Sequence, residues 1–302
     1  MVSIQMCCYN GEKHLKAAID SILRQSYAKW ELIFWDNQSS DRSAEIVQSY
    51  NDDRIKYHFA PVHTDLGGAR ALSWPLLRGD YIAFLDVDDT WEPEKLALQV
   101  ALFADPQTSI VAGDVMWFSA KKTKLIYNNA FPPEGYVTGA LLRHYFLSLP
   151  SVMVRRKAVE MTGGGFDPDF SHNADFDLFI RASTTGKLAI VKQHVASWRV
   201  EMSSQSWAKR SAFEAEHFRL VTKYRNTPWV RQHKISFWQY QLIIVVKKLY
   251  FALVNGKYEK NQVDGLLKYL DRLGWLGFCL VRSTPVRQWI QRHYQRHIKK
   301  WA

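Results

Sequence analysis

Apolar and polar positions along the first hundred residues alternate between two periods. Ser3–Cys8 (SIQMCC) is a short, mostly apolar run that reads as a strand. After the polar loop YNGEK, residues Leu15, Ala18, Ile19, Ile22 and Leu23 recur at helical spacing and share one face. Glu31–Asp36 (ELIFWD) is a second strand, and in the turn NQSSD the residue Asp41 is placed to cap the next helix. That helix has Ile46, Val47 and Tyr50 on its core face. Arg54–Phe59 (RIKYHF) alternates with period two, as a half-buried strand does. A short helix is predicted over 69–77, with Pro75 kinking or shortening it. Tyr81–Leu85 (YIAFL) is a fourth strand, and a helix near Pro93 turns Leu96, Val100 and Phe103 inward.

Repeated strand–helix units joined by right-handed crossovers predict an α/β fold with a mostly parallel sheet covered on both faces. Ligands of such sheets collect at the carboxyl ends of the strands. Asp36 ends the second strand and Asp86 ends the fourth, so the two acidic tips are expected on one rim. From about Ile110 to Val200 the pattern is mixed. SVMVRR reads as a strand, GGGFDPDF as a loop, ADFDLFIRAS as a helix, and KLAIVKQHVASWRV as a strand leading into WRVEMSSQS. Beyond Trp207 the chain is basic, aromatic and helical.

The composition is that of an ordinary globular protein, 47% hydrophobic and 23% charged over 302 residues. Three cysteines, with Cys7 adjacent to Cys8, make neither a disulfide framework nor a CxxC metal pattern, which fits a reducing, cytoplasmic setting. The N-terminus lacks the basic region of a signal peptide. No apolar run reaches the roughly 20 residues of a spanning helix. The nearest candidate, Phe237–Val254, is interrupted by Lys247 and Lys248.

The net charge of +11 is unevenly placed. Residues 207–302 carry 19 Lys and Arg against 5 Asp and Glu, whereas residues 1–206 carry 21 against 24. The basic third, with its interleaved Trp and Tyr, suits a helix lying in a membrane interface on anionic lipid. A helical cap packed on the preceding domain explains the same composition. No recognisable nucleic-acid motif accompanies the charge, so nucleic acid is not an expected partner.

The strand YIAFL runs directly into Asp86, Asp88 and Asp89. In an extended chain the D-x-D pair would point one way, roughly 7 Å apart. Two such carboxylates repel unless a cation lies nearby. A hard divalent ion, Mn²⁺ or Mg²⁺, uses one or two carboxylates plus phosphate oxygens, so the pair suits a nucleoside diphosphate held through a metal.

Taken with its surroundings, this segment resembles the family 2 glycosyltransferases, inverting enzymes of the GT-A fold. The resemblance covers residues 2–206. VSIQMCCYNGEKHLKAAIDSILRQSYAKWELIFWDNQSSDRSAEIV resembles the nucleotide-binding half in order and spacing, and GDYIAFLDVDDTWEPEKL the acidic signature. The resemblance implies a GT-A domain over 1–206 followed by a basic helical extension over 207–302. It implies that Cys8, Tyr9 and Glu12 line the nucleobase and ribose, and that Asp36 accepts a hydrogen bond from the base. Arg70 would face the nucleotide, Asp86 would sit by ribose and metal, and Asp88 would coordinate the metal on the diphosphate.

The same resemblance places the base that removes the acceptor proton at Asp175, in HNADFDLFIRAS. Here Ala174 stands where the family carries an acidic residue. In WRVEMSSQS, Glu201 stands where the family often has a histidine, and could serve as a further metal ligand. GGGFDP resembles the acceptor-side loop, and Trp117, Phe131 and Tyr136 offer stacking faces for a sugar. The implied activity is transfer of a sugar from a nucleotide-diphosphate sugar to a saccharide or lipid-linked saccharide in cell-surface polysaccharide synthesis, on the inner face of the plasma membrane. Two other readings remain at this point: a nucleotide-sugar-binding protein without transfer, and a basic membrane- or nucleic-acid-binding protein with an α/β scaffold.

Overall fold

A computed structural model describes residues 1–119, 122–200 and 210–255. Its chain divides into two units, Met1–Leu141 with Tyr145–Glu216, and Leu142–His144 with His217–Ala302. The boundary drawn at residue 206, the residue Glu201 and most of the basic third lie outside the described residues.

The first unit is built on one nine-stranded sheet. Its strands are β1 (Val2–Cys8), β2 (Trp30–Asp36), β3 (Ile55–Phe59), β4 (Tyr81–Phe84), β5 (Thr90–Trp91), β6 (Thr108–Phe118), β7 (Thr123–Leu125), β8 (Met153–Arg155) and β9 (Lys187–Arg199). Their order is β3-β2-β1-β4-β8-β6-β9-β5, with β7 on β6. The first four pair in parallel, as the strand–helix alternation predicts. The sheet as a whole is mixed, because β8 runs antiparallel between β4 and β6. β6 is buried over its first eight residues, the polar Thr108, Ser109 and Asp114 included, and carries no period-two signal to read.

Helices α1 (Glu12–Leu23), α2 (Ser43–Gln48) and α3 (Leu66–Ser73) connect the parallel strands. The inward face of α1 is Leu15, Ala18, Ile19 and Ile22, all without solvent exposure. They pack with Val2, Ile4, Met6, Leu32 and Phe34 into the main core. Each fully buried aliphatic side chain there contributes roughly 1.5–3 kcal/mol of transfer free energy. Asp41 accepts from the backbone N–H of Ser43 at the start of α2 and from that of Glu12 at the start of α1. One carboxylate thus serves two helix N-termini, which favour negative charge.

The helix predicted over 69–77 begins earlier, because Asp65 caps α3 by accepting from the Gly68 N–H at 2.8 Å. It ends where Pro75 enters a 3₁₀ turn at Trp74–Leu76. The glycine at 67 is there for space: a Cβ would stand 2.0 Å from the Phe170 carbonyl oxygen. Gly67→Ala is therefore expected to destabilise by about 1–3 kcal/mol. Urea unfolding measures this, and an unchanged midpoint would mean that the 163–171 loop does not lie against α3.

Later helices of this unit are α4 (Lys95–Leu102), α5 (Thr138–Arg143), α6 (Arg156–Glu160) and α7 (Ala174–Ser183). The stretch read as one strand, SVMVRR, is only three residues of strand before α6 begins. The described residues of the second unit include the helices Pro228–Gln232 and Lys234–Asn255. Within it Leu220, Val221, Tyr224, Val230, Phe237 and Tyr240 are buried, and Arg143 donates to the Ser236 hydroxyl at 2.7 Å. Among the described residues no helix is long and apolar enough to cross a membrane.

Candidate active site

The carboxyl ends of β2, β1 and β4 lie side by side, so Asp36 and Asp86 share a rim with one strand between them. Asp36 is fully buried. Its Oδ1 accepts from the Ser39 N–H and its Oδ2 from the Tyr57 hydroxyl, both at 2.8 Å. Two of roughly four lone-pair directions are thereby used, leaving capacity for a further donor. Burial, then its hydrogen bond to Asp36, pushes the Tyr57 hydroxyl up, so it stays a donor. Beside this carboxylate Asn37 clamps Thr64, and His63 is held on the Asn37 carbonyl at 2.7 Å. The ring of Tyr9, 55% exposed, lies against His63 with centroids 4.4 Å apart. It offers an aromatic surface to a flat ligand.

Cys8 and Glu12 each have a protein partner. The Cys8 thiol is buried, accepts from the Ser39 hydroxyl at 3.8 Å and is pushed up by burial. Glu12 accepts from the Arg42 N–H at 3.0 Å, tying α1 to the start of α2.

Arg70 projects from α3 beneath the acidic segment. Its guanidinium is 8% exposed and donates to Asp86 Oδ1 at 2.7 Å, and it lies 5.5 Å from the Phe166 ring. The ion pair is buried on the Arg70 side and half-exposed on the Asp86 side. The D-x-D segment departs from the expectation of an extended strand. β4 stops at Phe84, and Asp86–Asp89 form a turn closed by the Asp89 N–H on the Asp86 carbonyl. The chain must reverse here so that β5 can pair antiparallel with β9. Asp89, which the resemblance left without a role, holds that reversal: it is buried and accepts from the Arg199 N–H at 2.9 Å. Arg199 also donates through Nε to the Asp88 carbonyl.

The acidic turn is charge-rich on its own. Burial first, then repulsion from Asp88 and Asp86, pushes the Asp89 carboxyl well above the usual carboxylate range. Such a concentration favours a cation. Among the described residues no group of three or more His, Cys, Asp or Glu side chains is placed to hold one alone. Asp86 and Asp88 are two carboxylates of one turn, and one or two carboxylates are what Mg²⁺ takes from a protein when phosphates supply the rest.

Asp175 stands in the first turn of α7. The Tyr145 hydroxyl donates to its Oδ2 at 2.9 Å. Burial pushes the Asp175 carboxyl up, and the nearby Arg70 charge, then the Tyr145 hydrogen bond, pull it back. Arg70 thus acts on carboxylates of both sides, Asp86 by contact and Asp175 by its field. Asp177 faces the other way. It is fully buried and paired with Arg181 at 2.8 Å, whose guanidinium donates to the carbonyls of Thr162, Gly164 and Gly165. The glycine loop is thereby lashed to the helix that carries Asp175. Its Gly165 packs where a Cβ would meet the Trp74 ring at 2.3 Å.

The entry to α7 is held by Glu216, 3% exposed, which accepts from the backbone N–H groups of Ser171, His172 and Asn173. Of the aromatic residues considered for sugar stacking, Phe131 packs at 6.0 Å from Tyr127, Trp117 is half-buried on β6, and Tyr136 is 71% exposed.

Sequence reasoning had no view of Tyr145 or Glu216, because neither lies in a periodic segment or a recognisable motif. Tyr57 was within reach: β3 pairs with β2 in register Phe34–Tyr57, and alternation then sets Tyr57 on one face of β3.

A mixed sheet with aromatic and acidic side chains at its carboxyl rim is the architecture of the GT-A fold. Solved structures agree on the fold. TarS 1–349 of S. aureus in complex with UDP aligns at TM-score 0.65 and 15% identity, covering 90% of this chain and 79% of that one. The mannosyltransferase PcManGT of Pyrobaculum calidifontis, in complex with GDP-Man and Mn²⁺, aligns at TM-score 0.60 and 16% identity, covering 97% and 84%. The sequence profile described as Glycosyl transferase family 2 matches residues 3–160, and the chain belongs to that family. It is a glycosyltransferase. Among its relatives is the UDP-Glc:alpha-D-GlcNAc-diphosphoundecaprenol beta-1,3-glucosyltransferase WfgD of Escherichia coli, 26% identical over 85% of this chain and 98% of that protein. The amylovoran biosynthesis glycosyltransferase AmsB of Erwinia amylovora is 27% identical over 66% and 69%.

Proposed function

We propose that the enzyme moves a sugar from a nucleoside-diphosphate sugar to a hydroxyl of a saccharide carried on a lipid diphosphate, inverting the anomeric centre. The observation that carries this reading is the arrangement around Arg70, bonded to Asp86 on the donor side and acting on Asp175 across from it. The acceptor class is supported by the near-complete alignment with WfgD.

In this reading Asp36 accepts from the imide N–H of the nucleobase while Ser39 and Tyr57 fix its orientation. Tyr9 stacks on the base. Asp86 and Asp88 would hold a divalent cation, which when bound supplies positive charge for the departing diphosphate. Asp175 takes the proton of the acceptor hydroxyl as that oxygen bonds to the anomeric carbon. The bond from the anomeric carbon to the diphosphate oxygen breaks, and its electron pair leaves with the nucleoside diphosphate. Atoms balance without a covalent enzyme intermediate.

The test uses the full chain with Mn²⁺, a synthetic GlcNAc-diphosphate-alkyl acceptor, and UDP-glucose, UDP-GlcNAc and GDP-mannose in parallel. Transfer from one donor, giving a β-linked product from an α-linked donor, is the expected result. Retention of configuration sinks direct displacement, and donor turnover without glycosylation of this acceptor sinks the acceptor class.

The basic third is proposed to hold the enzyme on anionic lipid, next to a lipid-borne acceptor, on the strength of 19 cationic against 5 anionic residues in 207–302. Sedimentation with phosphatidylglycerol vesicles should carry the protein down at low salt and release it as salt rises. A chain that stays in the supernatant removes this element.

A further inference from the structure

Asp175 is held by a group that the family resemblance did not supply. The Tyr145 hydroxyl donates to its Oδ2 at 2.9 Å, and the Tyr145 ring lies 5.0 Å from that of Phe176, the next residue of α7. The segment carrying Tyr145 is itself fixed. The following carbonyl, that of Phe146, accepts from the Tyr127 hydroxyl at 2.8 Å. The Tyr127 N–H donates in turn to Asp114 Oδ1, and Asp114 is buried on β6. A chain of contacts therefore runs from the central sheet to one oxygen of one carboxylate.

We propose that Tyr145 is a positioning residue: it holds Asp175 Oδ2 so that Oδ1 is the oxygen that receives the acceptor proton. This rests on Asp175 as the base. A hydroxyl already donating to Oδ2 blocks a second proton there without first breaking its own hydrogen bond. A proton arriving at Oδ1 leaves the Tyr145 bond intact. The acceptor hydroxyl loses its proton to Oδ1 while its oxygen gains the anomeric carbon, and the diphosphate leaves with the electron pair. The hydroxyl also favours the ionised form of the base, since it donates to a carboxylate that burial would otherwise neutralise. The charged and titratable groups acting on this carboxylate are Arg70 from α3 and Tyr145. Asp86 acts through Arg70, and Tyr127 acts on Tyr145.

The variant is Tyr145→Phe in the full chain, assayed with Mn²⁺, the donor that turns over and the GlcNAc-diphosphate-alkyl acceptor. kcat is expected to fall about tenfold with donor KM nearly unchanged, because one hydrogen bond to a charged group is lost only at the reacting carboxylate. Its removal raises the base pKa, so the acidic limb of the kcat profile moves up by about one pH unit. UDP binding with Mn²⁺, read by calorimetry, is expected to match the wild type. A wild-type kcat overturns the proposal, as does a lowered kcat with the acidic limb in place. Loss of UDP binding in Tyr145→Phe also overturns it, because the residue then serves the fold. Asp175→Asn, run alongside, separates the two readings: an active Asp175→Asn means that the base itself is misassigned, whereas an inactive one beside an unaltered Tyr145→Phe removes only this proposal.

Discussion

Asp175→Asn is expected to lower sugar transfer by about 10²–10⁴-fold, the range that a positioned general base supplies. The side chain keeps its volume, so Tyr145 and Phe176 keep their partner, and α7 keeps its entry bonds to Glu216. What is lost is the capacity to take a proton. UDP binding in the presence of Mn²⁺ should therefore change by less than about twofold, since the interaction removed is made only in the transition state. Transfer at the wild-type rate would show that some other group deprotonates the acceptor. A collapse of UDP binding would show that Asp175 supports the donor site instead.

The second large effect is at the acidic turn. Asp88→Ala removes one of two carboxylates proposed to meet the cation, and should weaken Mn²⁺-dependent UDP binding by at least about 10–100-fold. Residual binding should depend less on Mn²⁺, because Asp86 alone is left to meet the cation while the proposed contacts of Asp36 and Tyr9 to the base are untouched. The backbone of the turn should survive, since it is closed by the Asp89 N–H on the Asp86 carbonyl, and the bond from Arg199 Nε goes to the carbonyl of residue 88. Calorimetry with and without EDTA reads this directly. Equal binding by variant and wild type in Mn²⁺ would remove Asp88 from the donor site.

The parallel half of the fold was legible because its strands and helices follow simple periods, and α1 buries the side chains its spacing selects. The later half was legible only in part: the strand expected in KLAIVKQHVASWRV and the helix in ADFDLFIRAS are β9 and α7, whereas the sheet's order there was not legible. β6 buries polar and apolar residues alike over its first eight positions and β8 is three residues long, so neither has a period to detect. The acidic tips were legible as charge out of place at the end of a buried strand. Their geometry was not, because the turn at Asp86–Asp89 is imposed by β5 having to reach β9, more than a hundred residues further along the chain. The same reason hides Tyr145 and Glu216. Each acts through tertiary contact from a segment whose local pattern says only loop or helix. Arg70 is intermediate: its side chain was singled out, but its burial and its bond to Asp86 needed the packing of α3 against β1.

Glu216 has a practical bearing on where this polypeptide can be shortened. A truncation at residue 206, where composition shifts, would discard the carboxylate that three successive amides of residues 171–173 share, one turn ahead of Asp175. Those amides would then lose their shared acceptor, and the entry to α7 would loosen although Asp175 itself was still present. Trimming that keeps the helix Arg210–Tyr224 avoids this loss.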